Sequence, residues 1–425
     1  MNTVDRYARH VDPTFMKLLG VLGYGRVYVR AEGAYLWDEQ GRRYLDLLAG
    51  FGSVNIGHNH PRLLARLREL LDEKPPNLHH IGPSPYAAQL AEELARIAGL
   101  EISLFSNSGA EAVEAAIKLA RAATRRTRIV YCDGAYHGLS LGTLSVSSSK
   151  RMRALFEPLI PDCTAIPFGD VNALEKELKK RDVAAFLVEP IQVEGGLRFP
   201  PDDYLKDARE LCTSTGTLFA VDEVQTGFGR TGSMFAFQRP DILILAKALG
   251  GSIAPIGVTM TTRRVQKQAY GSLRKFDLHG STFAGNTFAC VAALETLRII
   301  EDETLVARSR ENGAAFLAAL RERLHGHPRV REIRGRGLLI GIEITKFLGQ
   351  WFALALLERG VILQPASQAW EVLRIEPPLT IEPKQIEEAV DAIAAVFEEH
   401  RGVVSVLGKT TKRMAAQFAS GGRFR

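Results

Sequence analysis

From about residue 60 onward, short apolar runs alternate with segments of helical periodicity, and this alternation most narrows what the chain can fold into. The runs are Ile102 to Phe105, Ile129 to Cys132, Ala184 to Val188, Leu218 to Val221, Ile242 to Ala246 and Ile256 to Met260. They are apolar throughout instead of alternating with polar residues, as strands covered on both faces are. Between the first two, Val113, Ala116, Ile117 and Ala120 recur at i, i+3, i+4 and i+7, with Glu114 and Lys118 opposite. That spacing predicts an amphipathic helix packed on a sheet. The expected class is α/β, a mainly parallel sheet with helices on both faces.

The 425 residues exceed the ~250 to 300 at which one core stops growing, so two domains are expected. Residues 26 to 47 read as short strands punctuated by Gly33 and Gly41. After about residue 300 come a helical stretch from Leu305 to Leu324, strands at Gly337 to Ile344 and Val361 to Leu363, and a final helix. Ile386, Ala389, Val390, Ile393 and Phe397 share one face of that helix. The expected division is 1–59 as an N-terminal segment contributing to a small α+β domain, 60–300 as the large domain, 301–400 as the C-terminal small domain and 401–425 as a basic tail.

The net charge of +6 is localised. Arg401, Lys409, Lys412, Arg413, Arg423 and Arg425 lie in the tail with no acid, and the rest of the chain carries equal numbers of basic and acidic groups. A polyanion-binding face needs basic residues clustered on a folded surface, so no nucleic-acid partner is expected. No apolar run approaches the ~18 residues that span a bilayer. Met1 to Arg6 lack a basic region followed by an apolar one, and the expectation is a cytoplasmic protein without a membrane partner. Cys132, Cys163, Cys212 and Cys290 stand singly in apolar surroundings, as reduced buried thiols do.

Two nucleotide motifs nearly form. Gly227, Gly229 and Gly232 fit G-x-G-x-x-G after a strand, but Phe235, Phe237 and Pro240 follow where the fingerprint needs a helix. Gly402 to Thr410 resembles a phosphate-binding loop, yet five residues instead of four separate Gly402 from Gly408. The histidines of Gly57-His58-Asn59-His60-Pro61 and the His79-His80 pair lack complementary ligands at metal spacing, so they read as structural and no metal is expected.

Ser106-Asn107-Ser108-Gly109-Ala110-Glu111 carries more information. It follows a strand and opens the amphipathic helix, so the amides of Gly109 and Ala110 face an anion site, although any capped helix after a strand looks alike. Asp222 closes one apolar strand, where open α/β sheets place ligands, and could equally cap a loop. Lys247 closes another, where burial favours a free amine; such a lysine could equally be a solvated rim. Together, an anion cradle, a strand-end aspartate and a desolvated lysine describe a pyridoxal-phosphate site.

At these residues the sequence resembles the class III pyridoxal-phosphate aminotransferases of the ornithine and putrescine aminotransferase kind, from about residue 26 to residue 399. The motifs are Gly41-Arg42-Arg43-Tyr44-Leu45-Asp46, Ser108-Gly109-Ala110-Glu111-Ala112, Tyr136-His137-Gly138, Glu189-Pro190 and Asp222-Glu223-Val224-Gln225-Thr226-Gly227. Lys247-Ala248-Leu249-Gly250-Gly251, Ser281-Thr282-Phe283 and Arg374-Ile375-Glu376-Pro377-Pro378-Leu379 continue them. The resemblance implies a fold-type-I homodimer with a shared active site and a large pyridoxal-phosphate-binding domain built on a mainly parallel seven-stranded sheet.

Carried over by the resemblance, Ser108, Gly109 and Ala110 form the phosphate cradle, joined by Thr282 from the partner subunit. Tyr136 stacks on the pyridine ring with Val224 opposite, Gln225 lies near its phenolic oxygen, Asp222 binds its nitrogen, and Lys247 is the Schiff-base lysine. Arg374 corresponds to the carboxylate-binding arginine and Glu194 to the glutamate that neutralises it. Val193 occupies a position often glycine, and Phe51 stands where ornithine aminotransferases carry a tyrosine that contacts substrate. The implied reaction moves an amino group from a primary amine, such as a diamine, ω-amino acid or amino-terminated chain, to an oxo acid such as 2-oxoglutarate or pyruvate. Aminomutases, racemases and decarboxylases use the same apparatus and stay open as alternatives, as does a non-enzymatic binding protein with a basic tail.

Overall fold

The computed structural model describes residues 2–22, 24–78, 81–345 and 348–401. The His79-His80 pair and the tail beyond Arg401, including the Gly402 to Thr410 near-match, lie outside these residues. Three sheets form among the described residues. The first joins β1 (Tyr28–Glu32), β2 (Tyr35–Asp38) and β3 (Arg43–Asp46). The second contains β4 (Ile102–Ser106), β5 (Arg128–Cys132), β6 (Cys163–Ile166), β7 (Val183–Val188), β8 (Leu218–Asp222), β9 (Ile242–Leu245) and β10 (Gly257–Thr261). Further along the chain are β11 (Val330–Arg336), β12 (Leu339–Ile344), β13 (Val361–Ile362), β14 (Gln364–Ala366) and β15 (Ala369–Ile375). Strands β11, β12, β15 and β14 make the third sheet in that order, whereas β13 pairs in parallel with β3 and ties the N-terminal strands to the C-terminal part.

The seven-stranded sheet has the order β4-β10-β9-β8-β7-β5-β6. All its neighbouring pairs are parallel except those of β10, which runs antiparallel between β4 and β9. Every residue of β7, β8, β9 and β10 is buried, which is why β7, β9 and β8 up to Val221 read as unbroken apolar runs. The edge strand β6 was not foreseen, because its Cys-Thr-Ala-Ile sequence is mostly half-exposed and gives no such run.

The predicted amphipathic helix spans Gly109–Thr124 and buries Val113, Ala116, Ile117 and Ala120 with three further alanine and leucine positions. Ser108 caps it by accepting the Glu111 amide at 3.1 Å. The helix Leu305–Arg323 lies where its pattern places it, and Pro383–Glu399 buries the predicted face from Ile386 to Phe397. No helix follows Gly232 before β9, as the sequence following the glycine motif requires. His58 bonds Asp46 at 2.8 Å, and His60 pairs with Glu303 at 3.0 Å. All four cysteines are free, three of them buried and Cys163 half-buried. No helix among the described residues is long and apolar enough to cross a membrane.

Candidate active site

The loops leaving the carboxyl ends of the parallel strands converge on one cavity of about 560 Å³, the place where open α/β sheets bind ligands. After β4 it receives Ser108, Gly109 and Ala110, after β5 Tyr136 and His137, and after β7 Glu189. From β8 and beyond come Asp222, Val224 and Gln225, and after β9 comes Lys247. Phe51, Glu194, Thr282 and Arg374 are not among the lining residues. Thr282 lies in an exposed segment whose neighbour Ser281 accepts a hydrogen bond from Asn107 at 2.8 Å.

Asp222 is 5% exposed. One carboxylate oxygen accepts the Val224 amide at 3.0 Å, and the other is 2.7 Å from His137 Nδ1. Both contacts hold the side chain at a fixed angle over the strand end. Behind it, Glu189 accepts the Tyr136 amide at 2.9 Å. Complete burial, reinforced by repulsion from Asp222, raises the Glu189 carboxyl well above the ordinary range. Burial likewise pushes Glu223, which faces away from the cavity and accepts from Thr226 Oγ1 and the Phe237 amide, up to about 7.

Lys247 has a left-handed backbone, φ 46°, an uncommon conformation for a side chain of this size. Its Nζ donates to Gln225 Oε1 at 2.6 Å. Desolvation lowers the Lys247 pKa against the opposing pull of Glu376, Glu194 and Asp222. From Gln225 a chain of contacts runs to the residues that do not line the cavity. Gln225 Nε2 donates to Glu376 Oε2 at 2.8 Å, and Arg374 Nη1 lies 3.3 Å from Glu376 Oε1 and 2.5 Å from Glu194 Oε1. Burial would raise the Glu194 carboxyl, but Arg374 and the Ser367 amide outweigh it and hold it below the ordinary range. The Arg374 guanidinium stands over the Phe51 ring, 5.2 Å from its centroid. Phe51 itself is 47% exposed and adopts φ 58°.

His137, Glu189 and Glu376 also stand at the site without a role expected from sequence, although each lies inside one of the motifs. Glu376 carried a readable signal: residues two apart on an extended segment share a face, so a glutamate two positions after the arginine can reach it.

A half-buried lysine, a strand-end aspartate and a helix N-terminus meeting at the carboxyl edge of such a sheet are the layout of a fold-type-I pyridoxal-phosphate protein. Comparison with known proteins agrees. The family model "Aminotransferase class-III" matches residues 22–397, and the chain belongs to that family. It is 36% identical to "Aminotransferase PigE" of Serratia sp. (strain ATCC 39006) over 94% of its own length, and spans about half, 53%, of that relative. An ornithine aminotransferase structure from Toxoplasma gondii, with partial occupancy of pyridoxal phosphate, superposes with a TM-score of 0.84 at 36% identity, covering 89% of this chain and 91% of that one. An amine transaminase from an uncultivated Pseudomonas species, in its pyridoxal-phosphate-bound form, gives 0.82 at 29% identity, covering 88% and 94%.

The cofactor of this family is pyridoxal 5'-phosphate, and the residues present suit it. A Cβ added to Gly109 would sit 3.1 Å from Val224 Cγ1, so a side chain there would crowd the cavity wall. Ser108 Oγ is committed to the Glu111 amide and Ser108 O to the Ala112 amide. The first two amides of the helix, those of Gly109 and Ala110, have no carbonyl one turn back within the helix, which leaves them available to an anion.

Proposed function

We propose that the protein is an aminotransferase that takes the amino group of a primary amine at the end of a chain, a diamine or ω-amino acid, and delivers it to an oxo acid such as 2-oxoglutarate or pyruvate. The observation that carries this reading is the buried Glu194–Arg374 pair, linked through Glu376 and Gln225 to Lys247. A donor without an α-carboxylate leaves Arg374 needing a counter-charge, which Glu194 supplies, because an unpaired buried guanidinium is costly. When an oxo acid enters and Glu194 withdraws, its carboxylate gains a bidentate partner.

In this reading the amides of Gly109 and Ala110 hold the cofactor's phosphate, with Thr282 contributed across a homodimer interface. Tyr136 and Val224 flank the ring, Ser108 caps the cradle helix, and Asp222, oriented by His137 and Val224, faces the ring nitrogen. When bound, the cofactor supplies an electron sink for the carbon beside the substrate nitrogen. Lys247, its ammonium disfavoured by burial, is suited to take a proton from that carbon and deliver it to the cofactor carbon on the other side of the nitrogen. Gln225 fixes the position of Nζ. Phe51 presents a ring without a hydroxyl, which favours plain methylenes over the polar α-carbon end of ornithine. Residues 60–300 would form the cofactor-binding domain, with 1–59 and 301–400 in the smaller one.

The segment carrying Thr282 supports a homodimer. It exposes Leu273 (92%), Phe276, Leu278 and Phe283, apolar side chains of the kind a partner covers. Sedimentation of the loaded protein should give twice the 46.8 kDa chain mass.

The activity is tested by supplying diamines, amino acids and amino-terminated chains with 2-oxoglutarate or pyruvate. Carbonyl product should accumulate only when an oxo acid is present. Turnover beyond one equivalent per site without any acceptor would instead make the protein a mutase, racemase or decarboxylase.

A further inference from the structure

Arg374 is 1% exposed and Glu376 is fully buried, yet the guanidinium contacts two carboxylates, not one. The two are held differently. Glu194 lies in a turn with Gly195 and Gly196 behind it, and its side chain is bonded by Arg374 and the Ser367 amide. Glu376 follows directly on β15. Its amide donates to Leu47 O at 2.7 Å, and its Oε2 accepts from Gln225. Gly52, at φ 76°, passes so close that a Cβ there would stand 3.0 Å from Glu376 Oε2. Gln225 on one oxygen, Arg374 on the other and the Gly52 backbone alongside hold the Glu376 side chain in place. A carboxylate only accepts hydrogen bonds, so Glu376 also turns the Gln225 amide, directing Nε2 to itself and Oε1 to Lys247.

We propose that Glu376 is a specificity-determining residue: a fixed second counter-charge that stays on Arg374 when Glu194 leaves, weakens the grip on an acceptor carboxylate and favours a cationic donor beside Lys247. This rests on the reading of Arg374 as the carboxylate-binding residue. With Glu194 paired, two carboxylates face one guanidinium, and the excess negative charge lies one amide away from Lys247. With Glu194 withdrawn, an incoming carboxylate meets a guanidinium already neutralised on Nη1. Arg374 Nε, buried and without a hydrogen-bond partner among the described residues, remains to receive it. The pocket thus accepts an oxo acid while holding it less firmly than a lone arginine would.

The test uses glutarate, an unreactive dicarboxylate, and calorimetry of the cofactor-loaded wild type, Glu376→Gln and Arg374→Ala. Glu376→Gln should bind glutarate about fivefold or more tightly than wild type, the lower range of a site-to-site coupling, and Arg374→Ala should abolish binding. A second reading is independent of turnover. The charged groups facing Lys247 are Glu376, Glu194, Arg374, Asp222 and Glu189. Removing one negative charge from them disfavours the protonated chromophore, so the pH midpoint of the bound cofactor's visible absorbance should fall. Glu376→Asp, one methylene shorter, should shift both readings the same way by less, and serves if Glu376→Gln does not fold. Unchanged or weaker glutarate binding in whichever variant folds, with Arg374→Ala still abolishing it, overturns the role of Glu376 alone. Binding that survives Arg374→Ala overturns the reading of Arg374 and this proposal with it. An active aminotransferase in the first case separates that failure from a failure of the proposed reaction.

Discussion

At the sheet end of the pocket, Asp222 and Lys247 each stand at or just past the end of a buried strand of one sheet, held by neighbours a few residues away or on adjacent strands. At the far end, Glu194 comes from one segment and Arg374 with Glu376 from another, and they hold one another, Glu194 and Arg374 being 180 residues apart. The sheet-end charges are set by backbone geometry, whereas the far-end charges are set by mutual neutralisation. Loss of a sheet-end group should therefore damage both halves of the reaction alike. Loss of a far-end group should be felt by one substrate more than the other, because the remaining charges re-pair.

Four variants sharpen that contrast. Lys247→Ala should lower the rates of both half-reactions by roughly 10³-fold or more, the scale seen when a covalent catalytic group is removed. Borohydride reduction and peptide mapping of the wild type should place the cofactor on Lys247; label on another lysine would end the assignment. Asp222→Asn keeps the shape and the Val224 contact but removes the charge, so single-turnover proton abstraction should slow by around 10²-fold. Equal slowing with either substrate is expected, and a near-normal rate would remove Asp222 from the role.

Arg374→Ala should spare the amine half-reaction and impair the oxo-acid half-reaction by about 10-fold to 100-fold, the cost of losing a charge-assisted bidentate contact. Stopped-flow absorbance of the cofactor separates the two halves, and equal damage to both would erase the contrast between the two ends.

The smallest effect concerns stability. Glu223 has a carboxyl raised by burial to about 7, while the unfolded chain titrates near the ordinary glutamate value. The contribution of the neutral buried form is present below the unfolded value and is lost as pH rises toward 7, since the unfolded state then binds fewer protons. Glu223→Gln should flatten that part of the profile, a difference on the order of 1 to 3 kcal/mol between about pH 4.5 and 7. Chemical denaturation of both proteins at several pH values measures it, and parallel profiles would count against the burial argument.

How much was legible varied with how local the cause was. The strands β5, β7, β8 and β9 could be read because burial on both faces leaves an apolar run in the sequence itself, and the half-buried β4 because Ile102, Leu104 and Phe105 still mark it. Strand β10 was legible as a strand but not in direction, since its residues pair with β4 and β9 through backbone groups that carry no sequence label. Strands β14 and β15 escaped because Gln364, Trp370 and Glu371 interrupt their apolar positions. Ser108, Gly109, Asp222 and Lys247 were found because each sits at the junction of a strand with a loop or helix, and such junctions leave periodicity and capping signals. Thr282 shows the limit, for neither its residue type nor its exposed segment assigns it a role within the chain.

The sequence by itself determined the α/β class, the cradle helix and the two strand-end charges, because these follow from short-range periodicity and from which side chains can tolerate burial. Only the tertiary structure decided that Gln225 bridges Lys247 to Glu376, that His137 rather than a lysine or arginine sits on Asp222, and that Arg374 answers to two carboxylates instead of one. These pairings join residues as far apart as Gln225 and Glu376, 151 positions along the chain. Such contacts depend on how loops from different sheets pack, and on which acceptor reaches a buried donor first, and neither leaves a pattern within any window of sequence.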